Sequence, residues 1–291
     1  MRSNRNTVLS DKIIIDELRS SDYEELLPLI TPPNLGYVDQ ERLRRIFQPQ
    51  DPDTVTGLAM RDSGRLVGCL GFINQQRISR AGQLVKTVNL TCAVSHSDYR
   101  GYGLKSLTKL REYFDHTVFT VISASAVSDA IARKLLGARE ESDRFQIILP
   151  NPNVPDILTV QEAKNSLNIL NEELQSIYFS HEDLECHQLV FKDKENQCYL
   201  ISRTVLLDGE SCTEIVFYSD SDAFSKYANE ISSILNERNS TKHCVLSISD
   251  TPTELVNENH QIMMKEPRIT FGLKADIPFI SLYSENLILG L

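Results

Sequence analysis

The sequence predicts an α+β protein of two tandem domains, each a mixed central sheet flanked by helices. Three observations carry that prediction. The chain has 291 residues, about twice the usual domain length of roughly 150. An order of helices, three strands, a helix and a strand reads twice along it. Between the two readings stands Pro150-Asn151-Pro152-Asn153-Val154-Pro155, where proline interrupts helices and ladders alike. The expected domains are therefore 1–150 and 151–291.

Lys12–Leu18 opens the chain as an apolar strand. Ser21 and Glu24 follow at capping-box spacing, and the next helix groups Tyr23, Leu26, Leu27 and Ile30 on one face, shortened or bent at Pro28. Beyond the loop TPPNLGY, a second short helix spans Asp39–Phe47. Strands are expected at Val55–Met60, Leu66–Asn74 and Val85–Val94, the first two joined by the turn Asp62-Ser63-Gly64. Gly101–Phe114 reads as a helix and Val118–Ser123 as a buried strand. Val127–Leu136 is a helix stopped at Gly137, and Phe145–Leu149 is a last strand. The second half opens with a long helix from Val160 to Phe179. Strands follow at Gln188–Lys192, Cys198–Leu206 and Glu214–Tyr218, then a helix at Ala223–Glu237 and a strand at His243–Ile248.

Composition removes several function classes. With 41 % hydrophobic and 24 % charged residues the chain is neither disordered nor fibrous. No run of about 18 apolar residues is present, and the N-terminus lacks the apolar core of a signal peptide. The expected address is cytoplasmic, with no membrane partner. Charge is unevenly shared: residues 1–150 hold 20 Lys+Arg against 18 Asp+Glu, and residues 151–291 hold 10 against 22. A chain of pI near 5.2 without a basic stripe is a poor nucleic-acid binder. The near-neutral first half is the better host for a phosphorylated ligand. The six cysteines never form CxxC and read as reduced, mostly buried small hydrophobes, with no metal site.

Chemistry concentrates in Val88–Leu110, where a strand ends at Arg100-Gly101-Tyr102-Gly103-Leu104-Lys105 and leads straight into a helix. Two glycines let the backbone turn tightly and approach a ligand without a Cβ clash. Free N–H groups at a helix start favour an anion, and Arg100 and Lys105 add cationic side chains. Together they read as a small pyrophosphate cradle. Competing motifs fail on spacing: GxxxxGK[ST] is absent, and GxGxxG ends in Ser106.

What remains resembles the pyrophosphate loop of the GCN5-related N-acetyltransferases (GNATs), [RQ]xxGx[GA] after a splayed fourth strand. Arg100 and Gly103 match it; Lys105 stands where that family has Gly or Ala. The resemblance covers about residues 10–149. The whole chain is similar to a tandem bacterial type in which only the first copy keeps the loop. It implies two GNAT-like acyl-CoA N-acyltransferase domains, 1–150 binding acyl-CoA and 151–291 degenerate. Acetyl-CoA or another acyl-CoA is then the co-substrate. Pantetheine would lie on the backbone of Ala93, Val94 and Ser95, and the pyrophosphate on the amides of Gly101, Tyr102, Gly103, Leu104 and Lys105 beside Arg100. The acyl group would pass by direct attack, without a metal, to an amine on a small molecule or a protein, with a hydroxyl acceptor left open.

The chemistry beyond that cradle is less well marked. The family often places a tyrosine on the helix after the fifth strand to protonate the leaving thiolate; here that helix, VSDAIARKLLG, has none, and Arg133 falls near its place. Tyr99 and Tyr102 flank the loop, and Ser123 and Ser125 offer hydroxyls for polar contact near the thiol. For a base the first candidate is His96, at the end of the fourth strand, ahead of His116, which a helix C-terminus explains; no residue is assigned as acid or base. In the second half the corresponding place reads Tyr218-Ser-Asp-Ser-Asp-Ala-Phe, where acids would repel a pyrophosphate. Three roles are open for that half: an acceptor-side wall, a homodimer surface or plain stabilisation. The rival reading of the whole is a non-catalytic binding or scaffold protein of the same fold.

Overall fold

The computed structural model describes residues 13–30, 40–49, 52–79, 83–122, 124–141, 144–155, 157–263, 268–274 and 287–288. The side chains of Ile78, Arg100, Glu141, Ser249 and Met263 lie outside that description. β1 (Ile13–Arg19) passes through a 3-10 turn into α1 (Tyr23–Ile30). The capping contact comes from Asp22, whose carboxylate accepts the Arg19 N–H at 2.9 Å, in place of the expected Ser21–Glu24 pair. α1 buries Tyr23, Leu26, Leu29 and Ile30, so Leu29 takes the inner position expected of Leu27. α2 (Gln40–Phe47) buries Leu43, Ile46 and Phe47 at the spacing of one helix face.

β2 (Val55–Asp62) and β3 (Arg65–Ile78) form a hairpin whose turn places Ser63 and Gly64 at φ 53° and 85°, the left-handed pair that matches strand twist. β4 (Leu84–Ser95), α3 (Gly103–Lys109), β5 (Thr117–Val121), α4 (Ala126–Leu136) and β6 (Arg139–Glu141) follow. α4 starts where Ser125 Oγ accepts the Ser128 N–H and stops at Gly137, φ 66°.

Then come β7 (Arg144–Ile148), β8 (Thr159–Glu162), α5 (Glu172–His181), β9 (His187–Lys192), β10 (Gln197–Leu207) and β11 (Glu210–Tyr218). α6 (Ser221–Asn239), β12 (His243–Ser247), β13 (Gln261–Met263) and β14 (Arg268–Gly272) complete the order. The long helix expected over 160–179 is not formed. Its first residues pair as β8 with β9, Thr159 opposite Lys192. Two 3-10 turns intervene, and α5 begins only after Asn171, whose Oδ1 accepts the Leu174 N–H at 2.9 Å. A side chain that caps this well favours a helix start over a helix interior.

Two seven-stranded sheets result, in the orders β1-β2-β3-β4-β5-β14-β6 and β13-β7-β12-β11-β10-β9-β8. The compact units they build comprise Met1–Arg77, Leu84–Arg139 and Ile269–Ala275 in one, and Ile78–Gln83, Glu140–Arg268 and Asp276–Leu291 in the other. Each sheet therefore takes a strand from the far side of the proline stretch. β7, expected with the first half, pairs antiparallel with β12. β14, from the end of the chain, pairs antiparallel with β5, Ile269 opposite Val121. The cores follow suit: Ile269 and Phe271 join Leu70, Phe72, Val88 and Phe119, while Ile148 joins Phe191, Leu200, Phe224 and Ile231. None of the six cysteines is in a disulfide, and no described helix is long and apolar enough to cross a membrane.

Candidate functional site

β4 and β5 run parallel and pair from Lys86↔Thr117 to Asn89↔Thr120. There the ladder ends, although β4 continues to Ser95 and β5 only to Val121. Among the described residues, no strand pairs with Leu90–Ser95 on the β5 side. Cys92, at φ 47°, kinks β4 just beyond the last rung. Its carbonyl accepts the Cys69 thiol at 3.5 Å, and burial pushes that thiol well above its usual range. The strand end is held to β3 by the His96 N–H, which donates to the Val67 carbonyl at 2.8 Å. Ala93 is exposed here, and Val94 and Ser95 are half-buried. An extended amide-bearing ligand can take the ladder's unused hydrogen bonds at such a parting of strands.

The loop after β4 is a 3-10 turn, Ser97–Tyr102, running directly into α3. His96 stands at its start, half-exposed, with Nδ1 accepting the Asp98 N–H at 3.4 Å. The chain turns here within the 3-10 segment without a positive φ at Gly101 or Gly103, and Gly103 is helical at −54°. Their lack of a side chain has another effect. A Cβ on either would meet nothing within 4 Å, so both present bare backbone to open space.

Tyr102 is buried against Ile13, Met60 and Val67 and leaves a ligand only its backbone. Lys105 Nζ rests 5.5 Å from the centre of the Tyr102 ring, and Leu104 is exposed. Arg100 belongs to the turn through its backbone. Tyr99 donates its hydroxyl to Asp62 at 2.7 Å, and this bond to a carboxylate raises its pKa.

Other sequence candidates have ordinary partners. Ser125 caps α4, and Arg133 pairs with Asp129 at 2.6 Å. Ser123 lies outside the described residues. His116 is exposed in the turn before β5. Among the described residues no three His, Cys, Asp or Glu side chains gather to hold a metal.

Sequence reasoning missed Thr87 and Asn89. Both are buried on β4, yet among the described residues Thr87 Oγ1 and Asn89 Oδ1 have no hydrogen-bond partner. Such atoms each cost about 1–3 kcal/mol. The signal was available in Thr87-Val88-Asn89-Leu90-Thr91, whose strict polar–apolar alternation marks a strand with two unlike faces.

The second unit repeats the parallel parting but not the loop. β11 and β12 pair from Cys212↔His243 to Ile215↔Leu246, and β11 runs on to Tyr218. Only Ser219 and Asp220 separate it from α6. Asp220 Oδ1 accepts the Ala223 N–H at 2.8 Å, and Ser219 Oγ accepts the Tyr199 N–H at 2.9 Å. A carboxylate of the chain thus already serves the helix start.

No family model matches the sequence, and a search of curated proteins finds no match. Solved structures do match. A GCN5-related N-acetyltransferase from Anabaena variabilis superposes with a TM-score of 0.58 at 13 % identity, over 89 % of this chain and 72 % of its own. A conserved Enterococcus faecalis protein described as a probable N-acyltransferase gives 0.57 at 11 %, over 93 % and 74 %. A GCN5-related N-acetyltransferase from Kribbella flavida gives 0.55 at 13 %, over 89 % and 70 %. The chain thus has the fold of the GCN5-related N-acetyltransferases, present as two tandem units.

Proposed function

We propose that the first unit binds acetyl-CoA or another acyl-CoA and transfers the acyl group to an amine of a small molecule or protein. The observation that carries this reading is the parting of β4 from β5 at Asn89↔Thr120, followed at once by a loop of bare glycine backbone. Pantetheine amides would complete the ladder along Ala93–Ser95, and the diphosphate would lie against Gly101–Lys105 with Arg100 beside it. The amine nitrogen attacks the thioester carbonyl carbon and the C–S bond breaks. The proton lost by the nitrogen ends on the departing thiolate, giving an amide and free CoA. No metal enters this scheme. The acidic second half, 22 Asp+Glu against 10 Lys+Arg, favours a cationic acceptor. Asp220 at the start of α6 supports the reading that the second unit binds no CoA.

Three observations favour a second reading, a binding protein without turnover. Tyr99 is committed to Asp62, Tyr102 is buried, and α4 carries no tyrosine to protonate a thiolate. Calorimetric titration of acetyl-CoA into the intact protein, with Gly103→Glu as control, tests the first step common to both. Saturable binding abolished by the glutamate supports the assignment. Absence of heat and of thermal stabilisation at millimolar acetyl-CoA would sink it. Release of CoA thiol in the presence of primary amines then separates enzyme from binder.

A further inference from the structure

We propose that Asn89 Oδ1 receives an N–H of the acceptor amine and orients it toward the thioester, with Thr87 Oγ1 alongside. This rests on the acyl-CoA reading of the first unit. Asn89 occupies the last rung of the β4–β5 ladder, opposite Thr120, where the strands begin to part. Val88 and Leu90 turn to the core that contains Phe119, so Thr87, Asn89 and Thr91 lie on the opposite face. α2 covers that face: a Cβ on Gly71 of β3 would meet Phe47 Cζ at 2.8 Å and Thr91 Cγ2 at 3.2 Å. Asn89 is 3 % exposed and Thr87 5 %, and neither oxygen has a hydrogen-bond partner among the described residues. Two neighbouring buried acceptors without donors describe a receptor for N–H groups.

A carboxamide oxygen accepts hydrogen bonds but does not take a proton near neutral pH. That selects the nucleophile. An unprotonated amine can attack before it loses a proton, and its N–H bonds are free to be held meanwhile. An alcohol needs a base for its proton as it attacks, and Asn89 supplies none. The site is therefore built for amines over hydroxyl acceptors.

The test compares wild type with Asn89→Leu and Asn89→Asp by thermal melting, by acetyl-CoA calorimetry, and by thiol release with n-butylamine and spermidine. Asn89→Leu should melt higher than wild type, because it removes an unpartnered buried oxygen, and should keep its acetyl-CoA affinity. Thiol release with the amines should fall about tenfold, the worth of one positioning hydrogen bond, with KM for the amine carrying the loss. Asn89→Asp, which restores an acceptor and adds a base, should recover part of the rate with a new pH dependence. A lower melting temperature for the leucine variant would show that the oxygen serves the fold and would overturn the proposal, as would unreduced thiol release. If wild type fails to bind acetyl-CoA, the acyl-CoA reading falls instead, and a raised melting temperature still reports an oxygen held for an outside donor.

Discussion

Tyr99 stands in the 3-10 turn that leads into the candidate loop, and its bond to Asp62 decides what it can do. A hydroxyl held by a carboxylate, with its pKa raised, binds the loop to the β2–β3 turn and gives up its proton reluctantly. Tyr99→Phe should thus leave the rate of thiol release within about threefold, against the roughly 10²- to 10⁴-fold that loss of a general acid costs. A larger drop would make Tyr99 the acid after all. Asp193 poses a different question. Its carboxylate accepts from Lys226 Nζ and the Tyr227 hydroxyl, each at 2.7 Å, and from the amides of Glu195 and Asn196 at 2.7 and 2.6 Å. These donors, Lys226 foremost, hold its carboxyl far below the usual carboxylate range. The unfolded value is about 3.9, so the stability Asp193 contributes is complete above that pH and is lost as pH falls below it. Melting temperatures of wild type and Asp193→Asn should differ most near neutrality and converge below about pH 4. A gap that stays constant into acid would contradict the assignment.

At the scale of elements, the contrast between α3 and α6 is instructive. α6 begins two residues after its strand and carries its own cap, so Asp220→Ala should cost about 1 kcal/mol in denaturant unfolding. α3 begins only after a six-residue 3-10 turn and shows glycine backbone where α6 shows a carboxylate. That contrast was legible in the sequence, because glycines and acids are local signals. Helix and strand positions around it were legible for the same reason: Leu43, Ile46 and Phe47 at helical spacing, and Gly137 as a stop. The long helix over 160–179 was misread because an apolar pattern does not say whether Val160 has a strand waiting beside it in β9. Asn89 was passed over because alternation reveals two faces but not that the polar one is buried.

At the scale of the whole molecule, sheet membership cuts across the linear order. Nothing near Phe145 or Ile269 announces its sheet, since their strand partners lie 102 and 148 residues away, at Ser247 and Val121. A fragment of residues 1–150 would lack Ile269 and Phe271 from its core and leave β5 with an open edge. It should aggregate or show no cooperative melt, whereas the full chain should melt cooperatively; a sharp transition for the fragment would refute this. The exchange also has a consequence in time. A ribosome adding about 5–20 residues per second needs roughly 8–30 s to travel from the end of β5 to the end of β14. For that interval Phe119 and Val121 are on a nascent chain whose neighbouring strand has yet to be made, so the first sheet to begin translation is not the first that can be closed, and its β5 edge stays open to foreign strands until β14 emerges.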